Sequence, residues 1–147
     1  MFLNVDETWL GMSDFRRMKW QLPGTTNSIP KIEVAPRITM ILGLDTLGNI
    51  YAALAQANSN SEMMELFFRS LARRLDLQRP HWRKDTVIIV DGAKYHQSKD
   101  FLGVAAELQL PYMLLGPHSY DAAPCELVFA HFKKADINPR HLPTGKR

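Results

Sequence analysis

The sequence lacks the features that hold small secreted proteins or membrane proteins together. It contains a single cysteine, Cys125, so no disulfide can form within the chain. The opening residues, MFLNVDETWL, do not combine a basic segment with a following apolar run, which is the pattern of a signal peptide. No apolar run approaches the roughly 18 residues that a membrane-spanning helix needs. A chain of 147 residues, 46% of them hydrophobic, is therefore expected to form one globular domain.

Two common kinds of catalytic site are also missing. One cysteine is too few for the Cys and His sets that bind zinc, and His96 and His118 each stand alone. A serine hydrolase of the α/β type would need a G-x-S-x-G turn, which does not occur. These absences direct attention to the carboxylates.

Positive charge is modest in total but clustered along the chain. The formal net charge is +3 and the sequence pI is about 9.1. Clustered basic side chains can neutralise nucleic-acid phosphates, although a solvated helix face and a polar tail are the simpler interpretation from charge alone. The clustered residues are Arg69, Arg73, Arg74, Arg79, Arg83, Lys84, Lys133, Lys134, Arg140, Lys146 and Arg147.

The hydrophobic pattern predicts alternating strands and helices. Apolar runs predict strands at 2–6, 38–44, 50–56, 86–90 and 111–115. A helix is predicted from about 61 to Pro80, with Ser59 and Glu62 as its capping box. Further helices are predicted at about 98–109 and 124–135. The apolar face of the helix at 98–109 is predicted to comprise Phe101, Leu102, Ala105 and Leu108.

The order of these elements predicts the fold class. Three antiparallel strands followed by alternating helix and strand give an α/β domain with a mixed five-stranded sheet flanked by helices. This is the order of the ribonuclease H-like fold. Residues 8–36 contain several prolines and show no clear period, so they are interpreted as an irregular insertion loop.

Three carboxylates fall where such a sheet gathers a ligand site. Asp6 and Asp91 are predicted to end the first and fourth strands, which are neighbours in this fold, and Glu126 lies in the first turn of the last helix. Each has an ordinary explanation alone, because Asp is common in turns and Glu offsets a helix dipole. Together, three acids in a partly buried site repel one another unless a cation is bound. Magnesium takes oxygen ligands, and paired ions promote displacement at phosphorus.

Three segments resemble the catalytic blocks of mariner-like DDE transposases: NVDETW, TVIIVDGAKYH and LLGPHSYDAAPCELVFAHFK. Asp6, Asp91 and Glu126 match the three acids of that family. Phe129 stands where the family usually has Trp, and Lys133 matches a lysine one turn further on. Positions 92 to 125, 34 residues in all, separate the second acid from the third, which is typical of one branch of the superfamily.

The second and third blocks also depart from the family pattern. Gly92 replaces an Asn after the second acid, while Tyr120 and Ala123 replace a Pro and an Asn before the third. The replaced Asn normally caps the last helix, which Ala123 cannot do, and we expect Asp121 to supply the cap. The helix-turn-helix domains that precede the core in the family are not found in these residues.

The resemblance implies a catalytic core over residues 1–147, with a basic tail at 136–147. Such a core cuts DNA and transfers strands, using two Mg²⁺ or Mn²⁺ ions on the three acids. Its partners would be DNA, as transposon ends and target, and a second copy of the chain bound through loop 8–36, with no membrane. It would work in the nucleus of a eukaryote and otherwise in the cytoplasm. The candidate DNA contacts are Lys94, His96, Lys133, Arg16 and Arg17.

Two other functions fit the same residues. A stand-alone nuclease of this fold would hydrolyse nucleic acid without joining strands, and an inactive transposon remnant would only bind DNA or dimerise. Retention of all three acids favours an enzyme. Trp9 and Trp20 in the predicted loop are equally consistent with contacts to a partner and with plugging the edge of the core.

Overall fold

The computed structural model describes residues 1–10, 38–116, 119 and 123–134. Within these ranges the chain forms strands and helices in the predicted order. They are β1 (Phe2–Leu10), β2 (Ile38–Asp45), β3 (Ile50–Ala55), α1 (Ser61–Gln78), α2 (Trp82–Asp85), β4 (Val87–Val90), a 3₁₀ helix (Lys94–Gln97), α3 (Lys99–Glu107), β5 (Tyr112–Leu114) and α4 (Pro124–Lys134). The predicted tail at 136–147, and Arg16, Arg17, Trp20 and Asp121, lie outside the described residues.

The strands form one mixed sheet in the order β3-β2-β1-β4-β5. The pairs β1–β2 and β2–β3 are antiparallel, while β1–β4 and β4–β5 are parallel. The predicted five-stranded sheet, with the first and fourth strands adjacent, is therefore confirmed. Asp45 closes the β2–β3 hairpin by accepting the amides of Leu47 and Asn49, at 2.9 and 2.8 Å.

The two faces of the sheet are covered unequally. Leu3 and Val5 of β1 point towards α1 and α3, where Phe68, Trp82 and Phe101 are fully enclosed in a large apolar core. We call this side the two-helix face. The opposite side, the α4 face, has a small core made of Leu10, Met40, Leu42, Cys125 and Phe129. No helix among the described residues is long and apolar enough to span a membrane.

Several predicted boundaries were wrong for local reasons. The first strand does not end at Asp6, because β1 continues to pair with β2 as far as Leu10↔Ile38, and so residues 8–10 of the predicted loop belong to the strand. Asn60, not Ser59, caps α1 by accepting the amide of Met63 at 2.9 Å. Ser59 instead accepts a hydrogen bond from the indole of Trp9, at 2.9 Å.

The buried side of α3 also differs from the prediction. Val104 is buried beside Phe101 and Ala105, whereas Leu102 is 44% exposed. The short α2 and the 3₁₀ helix were not predicted, because each has only four residues and shows no usable period.

Candidate active site

The register of two parallel strands brings the first two carboxylates together. Pairing of β1 with β4 stops at Val5↔Val90, so Asp6 and Asp91 are the next residues on neighbouring strands. Asp6 lies inside β1, at the point where β4 no longer accompanies it. The amide of Glu7 donates to Oδ1 of Asp6 at 2.8 Å, and the amide of Ala93 donates to Oδ1 of Asp91 at 3.0 Å. Both carboxylates are thus oriented by the backbone that follows them.

The packing of α4 against the sheet sets the position of Glu126, the third carboxylate. Cys125 and Phe129 bury themselves against β1 and β2, which leaves the side chain of Glu126 exposed beside the sheet edge. The amide of Cys125 donates to Oδ1 of Asn4 at 3.0 Å, and its thiol approaches the carbonyl of Asn4 at 3.3 Å. Asn4 was not singled out from the sequence, although a polar residue within an apolar strand was a visible signal.

All three predicted carboxylates line one cleft of about 550 Å³. In the part of the chain that the structure describes, no three Asp, Glu, His or Cys side chains form a group that could already hold one metal ion. The acids therefore share a cleft without a closed ligand set. The remaining lining residues are Gly92, Gln97, Leu114, Leu115, Gly116, Ser119 and Ala123.

The electrostatics of the cleft favour a cation. The pKa of Asp6 is raised to about 6, mainly by burial; the negative charges of Glu126 and Asp91 add to this rise, and the hydrogen bond from the Glu7 amide opposes it. A divalent ion bound here would remove this repulsion, and carboxylate oxygens are the ligands that Mg²⁺ and Mn²⁺ prefer. The residues present therefore fit a hard divalent cation.

The buried side chain of His96 supports Asp91 from the two-helix face. His96 has no exposed surface, and its Nδ1 lies 2.7 Å from Oδ1 of Asp91. This hydrogen bond lowers the pKa of Asp91. Burial tends to lower the pKa of His96, but the contacts with Asp91 and Glu7 outweigh it and raise that pKa. Burial raises the pKa of Glu7 to about 7. Glu7 Oε2 and His96 Nε2 are both buried without a hydrogen-bond partner among the described residues.

Comparison with known proteins now identifies the family. A family model described as DDE superfamily endonuclease matches residues 2–147. The chain belongs to this family. None of the curated proteins matches it significantly in sequence. The predicted DDE endonuclease is therefore confirmed at the level of the family.

Solved structures share the fold of this DDE endonuclease. The Mos1 transposase paired-end complex with left transposon end has a TM-score of 0.64 and 20% identity, over 90% of this chain and 41% of that one. A structure of the Mos1 transposase catalytic domain and Raltegravir with Mg has a TM-score of 0.64 and 17% identity, over 93% and 63%. The simian T-cell lymphotropic virus intasome in complex with PP2A regulatory subunit B56 gamma gives 0.56 and 14%, over 97% and 43%.

These similarities confirm the ribonuclease H-like fold that the order of elements predicted. At such low identity they are informative about the fold and not about the chemistry. This chain spans well under two thirds of the Mos1 transposase chain in the paired-end complex, 41% of its length.

The other predicted site residues of the DDE endonuclease have different surroundings. Lys94 is exposed at the start of the 3₁₀ helix, next to the cleft residue Gly92, and Lys133 is half-buried in the last turn of α4. The predicted DNA contact of His96 does not fit its burial, because a ring with no exposed surface offers none to a phosphate. The contact of its Nδ1 with Oδ1 of Asp91 indicates that His96 orients this carboxylate.

The basic cluster at 69–84 is largely neutralised within the fold. Ion pairs and a ring contact occupy most of its arginines, which favours the simpler interpretation of a solvated helix face. Arg74 lies 5.0 Å from the ring centroid of Tyr51. The ion pairs join Arg69 to Glu65 and Glu107, Arg79 to Asp85, and Arg83 to Asp76.

Proposed function

We propose that this chain cleaves DNA and transfers strands as a transposase core, with Asp6, Asp91 and Glu126 as ligands of divalent metal ions. One observation carries the proposal: the three acids line a single cleft, although they come from distant parts of the chain. Two arrive at the end of a parallel strand pairing and the third on a docked helix. Membership of the endonuclease family supports the same chemistry.

The metal ligands are proposed from the donor set and its electrostatics. Mos1 structures whose titles name Mg or Mn share the fold, which supports a divalent ion in this cleft and is consistent with two. When bound, such ions supply Lewis acidity that activates a nucleophile and stabilises the leaving oxygen during in-line displacement at phosphorus. Glu126 is the exposed member, so its side chain has the freedom to complete the ligand set.

The protein side of the mechanism is orientation. His96 holds Asp91 by a 2.7 Å contact, and the Glu7 amide holds Asp6 by a 2.8 Å hydrogen bond. Ligands fixed in this way lose less conformational freedom when a cation binds. We also propose that Lys94 and Lys133 contact the phosphates of DNA, whether transposon end or target. A second copy of the chain is proposed to bind through residues 8–36, of which residues 8–10 belong to β1.

The decisive experiment compares cleavage of labelled DNA by the wild-type chain, Asp91→Asn, Glu126→Gln and Asp100→Asn in Mn²⁺. Asp100 is an exposed aspartate in the first turn of α3 and serves as the matched control. Metal-ligand loss should remove several kcal/mol of transition-state stabilisation, or about 1,000-fold in rate. The control should keep the wild-type rate. Equal rates for wild type and Glu126→Gln would remove the catalytic assignment.

The same reaction separates the transposase from a nuclease of this fold. A transposase gives both a cleaved product and a product in which the freed 3′ end is joined to target DNA. A stand-alone nuclease gives only the first. Absence of both products in Mn²⁺, with a wild type that binds DNA, would favour the inactive remnant.

A further inference from the structure

Asn4 is a buried polar residue at the centre of the α4 face. It lies two residues before Asp6 on β1, on the same side of the strand, and it is only 4% exposed. Its Oδ1 accepts the amide of Cys125 at 3.0 Å, and its Nδ2 donates to the carbonyl of Ile89 over a longer 3.4 Å. The orientation of the amide is fixed by these partners, because an N–H needs an oxygen and a carbonyl needs a donor.

The two hydrogen-bond partners of Asn4 each lie close in sequence to one of the acids. Cys125 precedes Glu126 by one residue, and Ile89 precedes Asp91 by two. One side-chain amide therefore joins β1, β4 and α4, the three elements that carry the acids. Because each bond lies within two residues of an acid, a change at Asn4 is transmitted to the cleft over a very short distance.

The start of α4 explains why this contact is needed. Pro124 has no amide hydrogen, and Ala123 has no side-chain oxygen with which to cap the helix. The amide of Cys125 thus receives its acceptor from a strand 121 positions away. A local cap would satisfy the same amide without attaching the helix to the sheet.

We propose that Asn4 is a positioning residue: its amide fixes α4 against β1 and β4, so that Glu126 stands opposite Asp6 and Asp91. The inference rests on the proposed function and adds to it a residue outside the three acids. Asn4 is not among the residues that line the cleft. It acts through the backbone of Cys125.

The test separates positioning from capping with a compensating substitution. Asn4→Ala removes both functions, whereas Asn4→Ala combined with Ala123→Ser restores a side-chain acceptor at the helix start without the attachment to β1. Ala123→Ser alone is the reference for the double variant, because Ala123 lines the cleft and a hydroxyl there can change Mn²⁺ affinity by itself. Mn²⁺ affinity is measured by calorimetric titration of the full chain, and stability by thermal unfolding without metal.

We expect Asn4→Ala to lower the Tm by about 3–6 °C, as for loss of one buried cap. The double variant should recover most of that shift yet still bind Mn²⁺ about tenfold more weakly than Ala123→Ser alone, as for residues that orient metal ligands. If Asn4→Ala does not fold, the double variant, which keeps a cap, carries the comparison.

Equal Mn²⁺ affinity in the double variant and in Ala123→Ser alone would overturn the positioning role and leave Asn4 as a cap only. Asp91→Asn is measured alongside. Loss of Mn²⁺ binding in Asp91→Asn, with equal binding in the double variant and Ala123→Ser, would sink the inference while the proposed function stands. Unchanged binding in Asp91→Asn would instead sink the proposed metal site itself.

Discussion

The two faces of the sheet divide stability from chemistry. The two-helix face buries a continuous apolar core that includes Phe68, Trp82 and Phe101. The α4 face has one covering helix in the described chain, a small core, and the buried polar residues Asn4 and Asp6. Among the described residues, α4 is the one helix that packs on the α4 face, and the cleft lies open beside it. The acids can therefore repel one another in this cleft while the apolar core of the two-helix face stabilises the fold.

The largest stability loss is expected on the two-helix face. Phe68 is fully enclosed, so Phe68→Ala should lower the free energy of unfolding by about 3–5 kcal/mol through lost burial and a residual cavity. Urea unfolding measures this change. Leu66→Ala is the control on the same helix, because Leu66 is 62% exposed and should change stability by less than about 0.5 kcal/mol. Similar losses in both variants would contradict the division between the faces.

A truncation on the α4 face should weaken the site more than the fold. Phe129→Ala should cost about 2–3 kcal/mol, near the low end for such changes, because the small core beside it can partly close. It should also lower Mn²⁺ affinity, since Phe129 anchors the helix that carries Glu126. Phe68→Ala, studied below its Tm, should leave that affinity unchanged. The reverse order of metal affinities would show that the faces are not independent.

The buried acid on the α4 face should make stability fall as pH rises. The pKa of Asp6 is raised from 3.8 to about 6, so the folded state holds this proton more tightly than the unfolded state. The stabilisation is complete below pH 4 and is lost as pH rises through 6, a change of about 1–3 kcal/mol. Asp6→Asn removes it.

Unfolding of wild type and Asp6→Asn at pH 4 and pH 8, without divalent metal, measures this difference. Glu7 contributes with the same sign in both proteins, but less in Asp6→Asn, because the negative charge of Asp6 is one cause of the raised pKa of Glu7; the difference therefore reports Asp6 together with its coupling to Glu7. Mg²⁺ should restore wild-type stability at pH 8 and have little effect on Asp6→Asn. Parallel pH profiles for the two proteins would rule out the assignment.

The smallest effect is expected for a cap on the two-helix side. Asn60 caps α1 locally, so Asn60→Ala should cost about 1 kcal/mol and leave Mn²⁺ affinity unchanged. Denaturant unfolding and calorimetric titration measure the two quantities. Its contrast with Asn4 is informative, because both side chains accept an amide in the first turn of a helix, but only Asn4 does so from another element. A weaker Mn²⁺ affinity in Asn60→Ala would show that any loss of helix order disturbs the site.

The fold and the acids were predictable because their signals are local. Apolar runs predicted the five strands and the helices α1, α3 and α4. A motif of fixed spacing predicted the candidate ligands Asp6, Asp91 and Glu126. The length of β1 was not predictable from its own residues, since Thr8–Leu10 are strand only because β2 pairs with them. Boundaries that depend on a partner strand are invisible in a single segment.

The supports of the site escaped prediction for the same reason. The sequence predicts that the neighbouring Asp121 caps the helix of Glu126, whereas the amide of Cys125 donates to Asn4 of the first strand. It also predicts a DNA contact for His96, but the 3₁₀ helix turns this ring inward to Asp91. Contacts between distant positions need coordinates, because no spacing rule connects them.

The separation of 121 positions between Asn4 and Cys125 also sets an order of events during translation. The ribosome releases the first strand long before the last helix, and folding begins with the part already made. Until α4 emerges, Leu10, Met40 and Leu42 lack their cover, and the two aspartates lack their glutamate. A nascent chain therefore cannot bring Glu126 beside Asp6 and Asp91 until α4 has been synthesised.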